Sequence, residues 1–318
     1  MSGLYEKKFD IGPDDAVATA GSCFAQHIAT NLRSNGFNVV DAEPAPGSMT
    51  PQTRERFGFG VYSARFGNIY YVRQLLQLVQ EAYGERQPSN WIWKKGDKYF
   101  DALRPSVEPV GLDSESEVIV HREQHLAAVR KLLGTASVLV YTFGLTEGWV
   151  DHNSGTVFPT APGTLCGDFD PDVFSFKNFS YSEVVADFEE LRGLIQRHNP
   201  HIKFLLTVSP VALAATATDD HVLVSTTYSK SVLRAAVGDL AKKYEDVAYF
   251  PSFEIITGSP ARGRHWDDTL RSVTPEGVRE VMTHFFSSHP AIGGAETENI
   301  VTAEELLCEE ALLEVFGK

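Results

Sequence analysis

The sequence predicts an α/β protein, a three-layer α/β/α sandwich around a central parallel sheet. Short apolar or β-branched runs, typical of buried strands, alternate along the chain with longer stretches of helical periodicity. Such alternation favours a parallel sheet that helices cover on both faces. The strand runs are residues 16–20, 137–143, 202–209 and 247–250, and the clearest helical stretches are residues 70–83, 121–133, 182–198 and 229–244.

The first strand run leads directly into a helical pattern. After residues 16–20, Phe24, Ile28 and Leu32 recur every four residues until Gly36, a residue typical of a helix end. The connection contains Cys23, which therefore lies on a strand-to-helix turn. Unpaired backbone N–H groups and the positive end of a helix dipole favour an anion at such a turn. We therefore expect Cys23 to be more thiolate than a free cysteine.

Later helix starts and two irregular stretches complete the outline. Thr274-Pro275-Glu276 is typical of a helix start with proline at the first helical position, and residues 302–305 match a capping box. Residues 41–68 and 144–180 lack periodicity and predict long loop insertions, which in compact domains are usually functional or disordered. No composition shift marks a linker, so we expect one domain over residues 1–318.

Composition excludes several classes of function. The formal net charge of −14 argues against binding of nucleic acid or docking to an anionic membrane. No apolar run approaches the roughly 18 residues of a spanning helix, and residues 1–10 lack the apolar core of a secretion signal. We therefore expect a cytoplasmic protein without a membrane span.

The three cysteines do not indicate a disulfide framework. Cys23, Cys166 and Cys308 are odd in number and far apart, so neither disulfides nor a zinc site is predicted. Cys308 lies in an apolar helical pattern and is expected to be packed. The sequence also lacks a Walker loop, a dinucleotide-binding glycine motif and a His-Glu-x-x-His motif, so no metal or tightly bound cofactor is predicted.

Several blocks of sequence resemble a known family. The chain resembles the GSCFA family, named after the pentapeptide at residues 21–25, and through it the SGNH/GDSL hydrolase superfamily. The likeness covers nearly the whole chain. The blocks that carry it are residues 21–25, 62–70, 104–109, 142–149, 208–210, 221–222, 227–231 and 249–252.

The resemblance implies a flavodoxin-like topology with the active site at the carboxyl ends of the strands, in line with the rule for open α/β sheets. It places Cys23 at the position of the superfamily's nucleophilic serine. Ser22 is the alternative, either as the nucleophile or as a helix cap. The implied chemistry is acyl transfer through a covalent intermediate.

The resemblance also suggests partners for the nucleophile. The segment 142–147 ends a predicted strand where the superfamily places an oxyanion-stabilising Asn, so Gly144 and Thr146 are the candidates here. Glu147 is a candidate for orienting a base or binding a substrate hydroxyl. The alternative is a strand-to-loop turn that needs a glycine for a positive φ.

The general base is not evident from the sequence. The superfamily carries a late Asp-x-x-His motif, but here Asp268 is followed three places on by Arg271. His265, just upstream, and His221, after the strand run 202–209, are the candidate bases.

Substrate contacts are expected from loops and from one helix start. Residues 228–231 are expected to open a helix, where Ser229 and Lys230 would suit an anionic substrate group, although an ordinary capped helix is the alternative. Arg65, Asn68 and Arg104 lie in loop blocks and are further candidate contacts.

These features together favour an acyl-transfer enzyme. The expected donor is acetyl-CoA or another acyl thioester, and the expected acceptor is a carbohydrate hydroxyl. A carboxylesterase or deacetylase of the same fold is one alternative, and a non-catalytic carbohydrate-binding protein is another. The sequence leaves the oligomeric state open.

Overall fold

The computed structural model describes residues 3–290 and Val301. Its strands are β1 (Val17–Gly21), β2 (Ile92–Lys95), β3 (Lys98–Asp101), β4 (Val138–Phe143), β5 (Glu147–Asp151), β6 (Val157–Phe158), β7 (Phe174–Asn178), β8 (Lys203–Val208) and β9 (Val247–Tyr249). Its helices are α1 (Phe24–Ser34), α2 (Pro51–Arg56), α3 (Val72–Ala82), α4 (Glu115–Thr135), α5 (Tyr181–His198), α6 (Val222–Lys243), α7 (Ser252–Thr257) and α8 (Pro275–Ser288), with a short 3₁₀ helix at Ser259–Ala261. None of the helices described is long and apolar enough to span a bilayer.

The central sheet is parallel and has the strand order β1-β4-β8-β9. Its register pairs Val17 with Val138, and Val138 in turn with Lys203. Val39 forms a single parallel bridge to Val17 on the side of β1 that faces away from β4. A rudimentary strand therefore lies at this edge of the sheet, next to β1. With that bridge the spatial order is the flavodoxin-like one. The four strand runs predicted from the sequence are confirmed.

Helices cover both faces of this sheet. Successive side chains of a strand point to opposite faces, and the buried residues divide accordingly into two clusters. One cluster joins the sheet to α3, α4, α5 and α6, and the other joins it to α1, α7 and α8. The sheet contributes Ala18, Leu139, Tyr141, Phe204 and Leu206 to the first face, and Val17, Val138, Val140, Leu205 and Ala248 to the second. The predicted three-layer sandwich is confirmed.

Helix α6 begins earlier than the sequence pattern indicated. Its first residue is Val222, so residues 228–231 lie inside the helix and do not open it. The imidazole Nδ1 of His221 accepts a hydrogen bond from the Leu223 backbone N–H and caps the helix. The expectation of a helix start at Ser229 is therefore wrong. The first turn carries exposed apolar residues, Leu223 and Val224, which hide the usual amphipathic signal.

The two irregular stretches are partly ordered into regular elements. Residues 144–180 contain an antiparallel sheet of order β6-β5-β7, where the sequence indicated only a loop. Residues 41–68 contain the short helix α2, and this stretch is fastened beside β1 by a bond from the Ser63 N–H to the Thr19 carbonyl. The capping box at residues 302–305 and Cys308 lie outside the described residues. The single-domain organisation stays a prediction.

Substitution of Gly21 by alanine tests the junction between β1 and β4. Gly21 has φ = 140°, and a Cβ there would lie 2.5 Å from the Thr142 carbonyl oxygen. Gly21→Ala should therefore lower the free energy of unfolding by about 3 kcal/mol, measured by urea denaturation. Gly193→Ala is the matched control, because no atom lies within 4 Å of a Cβ there. In the middle of α5 this change should stabilise by about 0.5–1 kcal/mol. Equal effects of the two changes would contradict the close packing at Gly21.

Three buried histidines make stability depend on pH. Burial lowers the pKa of His27, His125 and His289 to about 4. For His289 the geometry agrees, because its Nδ1 accepts a hydrogen bond from the Ile11 N–H and must be unprotonated to do so. Burial raises the pKa of the Asp187 carboxyl to about 6, which acts in the opposite direction.

Stability should therefore fall as the pH is lowered from about 6.5 to 4. In that window the unfolded histidines bind protons that the folded ones do not, so each contributes a slope of up to about 1.4 kcal/mol per pH unit. Urea denaturation at several pH values measures this slope. His289→Gln should reduce it, with the exposed His201→Gln as the matched control. A free energy of unfolding that stays constant across this window would contradict the prediction.

Candidate functional site

The turn between β1 and α1 lies at the carboxyl edge of the central sheet. The Ser22 N–H donates to the Thr142 carbonyl at 3.2 Å, so the turn packs directly on the end of β4. Cys23 occupies the N-cap position of α1 and is only 3% exposed. The positive end of the helix dipole favours an anionic group at this position. The sequence prediction for this turn is confirmed in its position.

Ser22 and Gly144 face each other across this edge. A Cβ on Gly144 would lie 2.8 Å from the Ser22 Cβ and 3.1 Å from the Tyr70 carbonyl oxygen. The Ser22 hydroxyl is buried and has no hydrogen-bond partner in the part of the chain that is described. Ser22 is therefore not a helix cap, and that alternative is wrong. Its hydroxyl lies beside Cys23 in the same turn.

Asn68 is placed next to this turn by two further side chains. The Tyr62 hydroxyl lies 2.6 Å from the Asn68 Oδ1 and 3.2 Å from the Ser22 carbonyl oxygen. The Gln26 amide nitrogen lies 3.3 Å from the same Asn68 oxygen. All three side chains are buried. Asn68 was expected to contact substrate, and the structure brings it to the nucleophile turn.

Sequence reasoning missed Tyr62 and Gln26 as members of this cluster. Tyr62 belongs to the same sequence block as Asn68, and Gln26 follows Cys23 by three residues, which on a helix is the same face. Both signals were present in the sequence. The tertiary structure is what joins them, because the bond from the Ile69 N–H to the Gly21 carbonyl places residues 62–70 beside β1.

Helix α6 fixes the segment that follows β4. The ammonium group of Lys230 lies 2.6 Å from the Gly144 carbonyl oxygen, and the Ser229 hydroxyl accepts from the Thr146 N–H at 3.0 Å. Both side chains are buried. Lys230 therefore supplies a positive charge at the site through its side chain, not through the helix N-terminus that the sequence had indicated.

The backbone N–H groups of the expected oxyanion site already have acceptors. The Gly144 N–H donates to the Tyr70 carbonyl at 3.2 Å, and the Thr146 N–H donates to Ser229. Gly144 and Thr146 lie where the sequence placed them, at the end of β4. Their role as oxyanion donors stays a prediction.

Glu147 begins β5 and faces the loop after β8. Its carboxylate accepts a hydrogen bond from the Thr216 hydroxyl at 3.0 Å. Burial raises its pKa, and the negative charge of Asp220 adds to this effect. The segment 144–147 thus carries the acidic Glu147 at one end and contacts the basic Lys230 at the other.

The expected bases make their contacts away from this turn. His221 is exposed and caps α6. His265 is fully buried, with its Nε2 3.0 Å from a carboxylate oxygen of Glu280 on α8. Asp268 is exposed. The roles of these three residues in catalysis stay predictions.

Arg271 stands at the position where the resemblance to the superfamily implies a histidine. Its Nε lies 3.4 Å from the Ala212 carbonyl in the loop after β8. The preceding Leu270 has φ = 59° and is 72% exposed, a conformation that is uncommon for a bulky residue. A guanidinium does not lose its proton in proteins, so Arg271 cannot serve as a general base.

Arg65 and Arg104 are held in a buried network of charges. The Arg65 guanidinium bonds to the Phe57 carbonyl and lies 2.6 Å from the Glu108 carboxylate. Arg104 lies 2.8 Å from the Asp101 carboxylate and donates to the Arg65 carbonyl. These contacts fasten the stretch 41–68 to the loop between β3 and α4. Substrate contact by either arginine stays a prediction.

The structure is an α/β fold with a central parallel sheet, and a cysteine lies at its first strand-to-helix turn. The chain belongs to the GSCFA family, whose model matches residues 16–285. No curated protein matches the chain. The family is consistent with an enzyme of the hydrolase or acyltransferase kind.

Substitution of Gly144 by alanine tests the contact between this segment and Ser22. The added methyl group has to displace the Ser22 side chain or the Tyr70 backbone, so the free energy of unfolding should fall by about 1–3 kcal/mol. Thermal or urea denaturation measures the change. The exposed Gly47→Ala is the matched control, because no atom lies within 4 Å of a Cβ there. A Gly144→Ala variant as stable as the control would contradict the contact.

Proposed function

We propose that this protein is an acyltransferase that uses Cys23 as its nucleophile. The observation that carries the proposal is the position of Cys23 at the start of α1, on a turn packed against the end of β4. A nucleophile held at this edge of an open α/β sheet lies where such folds bind their substrates. The acyl donor would be a thioester such as acetyl-CoA, and the acceptor a carbohydrate hydroxyl.

The reaction has two steps. In the first, the Cys23 thiolate attacks the acyl carbon, the carbon–sulfur bond of the donor breaks, and the donor leaves as a thiolate. In the second, the acceptor oxygen attacks the acyl-Cys23 thioester, its proton passes to a base, and the Cys23 thiolate leaves. The donor thiolate and the Cys23 thiolate have similar basicity, so the free-energy change of the first step is close to zero.

The surrounding residues have distinct roles in this proposal. The Asn68 amide is a donor for the developing oxyanion, because its oxygen is engaged by Tyr62 and Gln26 in a way that orients the group. The Lys230 ammonium group stabilises negative charge near Gly144. His221 and His265 are the candidate bases, with Asp268 as a candidate orienting acid. The proposal includes a cytoplasmic location, where acyl thioesters occur.

Two other functions are alternatives to this proposal. Water in place of the alcohol would make the same site a carboxylesterase or deacetylase. His221 bonds to the Leu223 N–H, and the His265 imidazole lies beside Glu280 on α8. Because neither contact involves the nucleophile turn, a carbohydrate-binding protein without catalysis is the third candidate.

Intact-mass spectrometry after mixing with acetyl-CoA tests the nucleophile. We expect an added mass of about 42 Da, the acetyl group of the covalent intermediate. It should be absent in Cys23→Ser and present in Ser22→Ala. Cys166→Ser is the matched control and should keep the adduct, because burial raises the pKa of the Cys166 thiol to about 12. His221→Ala, His265→Ala and Lys230→Met, followed over time, then identify the group needed for turnover.

Two results would contradict the proposal. An adduct that survives in Cys23→Ser and disappears in Ser22→Ala would make the serine the nucleophile. The absence of an adduct with any small thioester or ester would favour the carbohydrate-binding alternative.

A further inference from the structure

A cleft opens beside the nucleophile turn, between the small sheet and the loop after β8. Its volume is about 250 Å³. Tyr71 and Leu145 both line it. Tyr71 directly follows Tyr70, and Leu145 directly follows Gly144, the two residues that meet at the Gly144 contact. The cleft is therefore adjacent to the contact between Gly144 and Ser22, because the next residue after Gly144 lines it.

Aromatic and small apolar residues form most of the cleft wall. Trp149 and Phe176 pair edge to face, with ring centroids 6.0 Å apart. Tyr71 packs under the chain at Gly148, where a Cβ would lie 2.8 Å from the tyrosine ring. Ala215 and Ala217, on the loop after β8, also line the cleft. Such a wall suits the face of a compact ring-shaped ligand.

Glu147 alone carries a charge among the described residues that line the cleft. Its carboxylate is buried, and no basic group of the described chain lies within 4.0 Å of it. A buried carboxylate is costly unless a positive charge pairs with it. Asp220 adds negative potential from nearby and raises the cost of leaving Glu147 unpaired. A cation bound in the cleft would pair with this carboxylate.

Thr160 provides a second polar atom in the same wall. It is only 7% exposed, and its hydroxyl oxygen has no hydrogen-bond partner among the described residues. A buried hydroxyl without a partner is unusual in a folded protein. The Thr160 hydroxyl oxygen exposes almost no surface to the cleft, so the Glu147 carboxylate is the charged group that a ligand would meet.

We infer that this cleft binds a small ring-shaped ligand with a cationic primary amino group, held between Glu147 and the aromatic wall. The ammonium group donates to the Glu147 carboxylate, and the ring packs on Trp149. An anionic ligand is disfavoured because it would face an unpaired carboxylate. That this ligand is the acyl acceptor, an amino sugar for example, rests on the proposed function.

Isothermal titration calorimetry with a matched pair of probes tests the inference. Cyclohexylamine is cationic, and cyclohexanol has the same ring without the charge. The amine should bind at least about tenfold more tightly than the alcohol. Glucosamine should likewise bind more tightly than glucose. Equal binding within either pair, or no binding of the amine, would overturn the inference.

Variants locate the binding. Glu147→Gln should weaken the binding of cyclohexylamine by about tenfold or more, and Trp149→Leu should weaken it as well. Glu123→Gln removes the same charge from an exposed position on α4 and should leave the affinity unchanged. If Glu147→Gln bound as the wild type does, the assignment would be wrong. If a variant fails to fold, the affinities of cyclohexylamine and cyclohexanol for the wild-type protein still test the inference.

The two proposals fail in different ways. Cys23→Ser should bind cyclohexylamine as the wild type does, since Cys23 does not line the cleft. Amine binding without any acyl adduct would overturn the proposed function and leave the amine site standing. An adduct without amine binding would do the reverse.

Discussion

The close approach of Gly21 to Thr142 is the constraint on which the site depends. Because Gly21 has no side chain, the end of β1 can lie against the backbone of β4, where a Cβ would come within 2.5 Å of an oxygen. This contact sets the position of Ser22 and Cys23 relative to Gly144. Gly144, after the end of β4, is under the same steric constraint, because a Cβ there would lie 2.8 Å from the Ser22 Cβ. Two glycines thus allow the carboxyl ends of two strands to meet.

Helix α6 holds the other side of this junction. Lys230 and Ser229 bind the backbone of residues 144 and 146, so the segment leaving β4 has a fixed path into β5. That path determines where Glu147 lies, and with it the charge of the neighbouring cleft. The nucleophile turn and the cleft are therefore joined by one short, braced segment. A positive side chain contacts the start of this segment and a negative one lies at its end, so the two ends favour ligand groups of opposite charge.

Local patterns predicted the sheet well and the site less well. The strand runs were found because buried parallel strands are continuous apolar runs, and the turn at Cys23 was found because a strand and a helix meet there. The start of α6 was missed because His221 is an unusual cap and Leu223 is exposed. The small sheet at residues 144–180 was missed because its pairing joins β5 to β7 across more than twenty residues of chain. Pairing of that kind leaves little trace in local periodicity.

The sequence by itself determined the fold class, the position of Cys23 on a strand-to-helix turn and the membership in a family. Each of these depends on neighbours in the chain, which local spacing and motifs record. Only the tertiary structure decided which side chains surround that turn. Asn68 is joined to it through Tyr62, and Lys230 reaches it from a helix that begins far away in sequence. Those contacts join segments that are far apart in sequence. They depend on how the elements pack, which local spacing along the chain does not record.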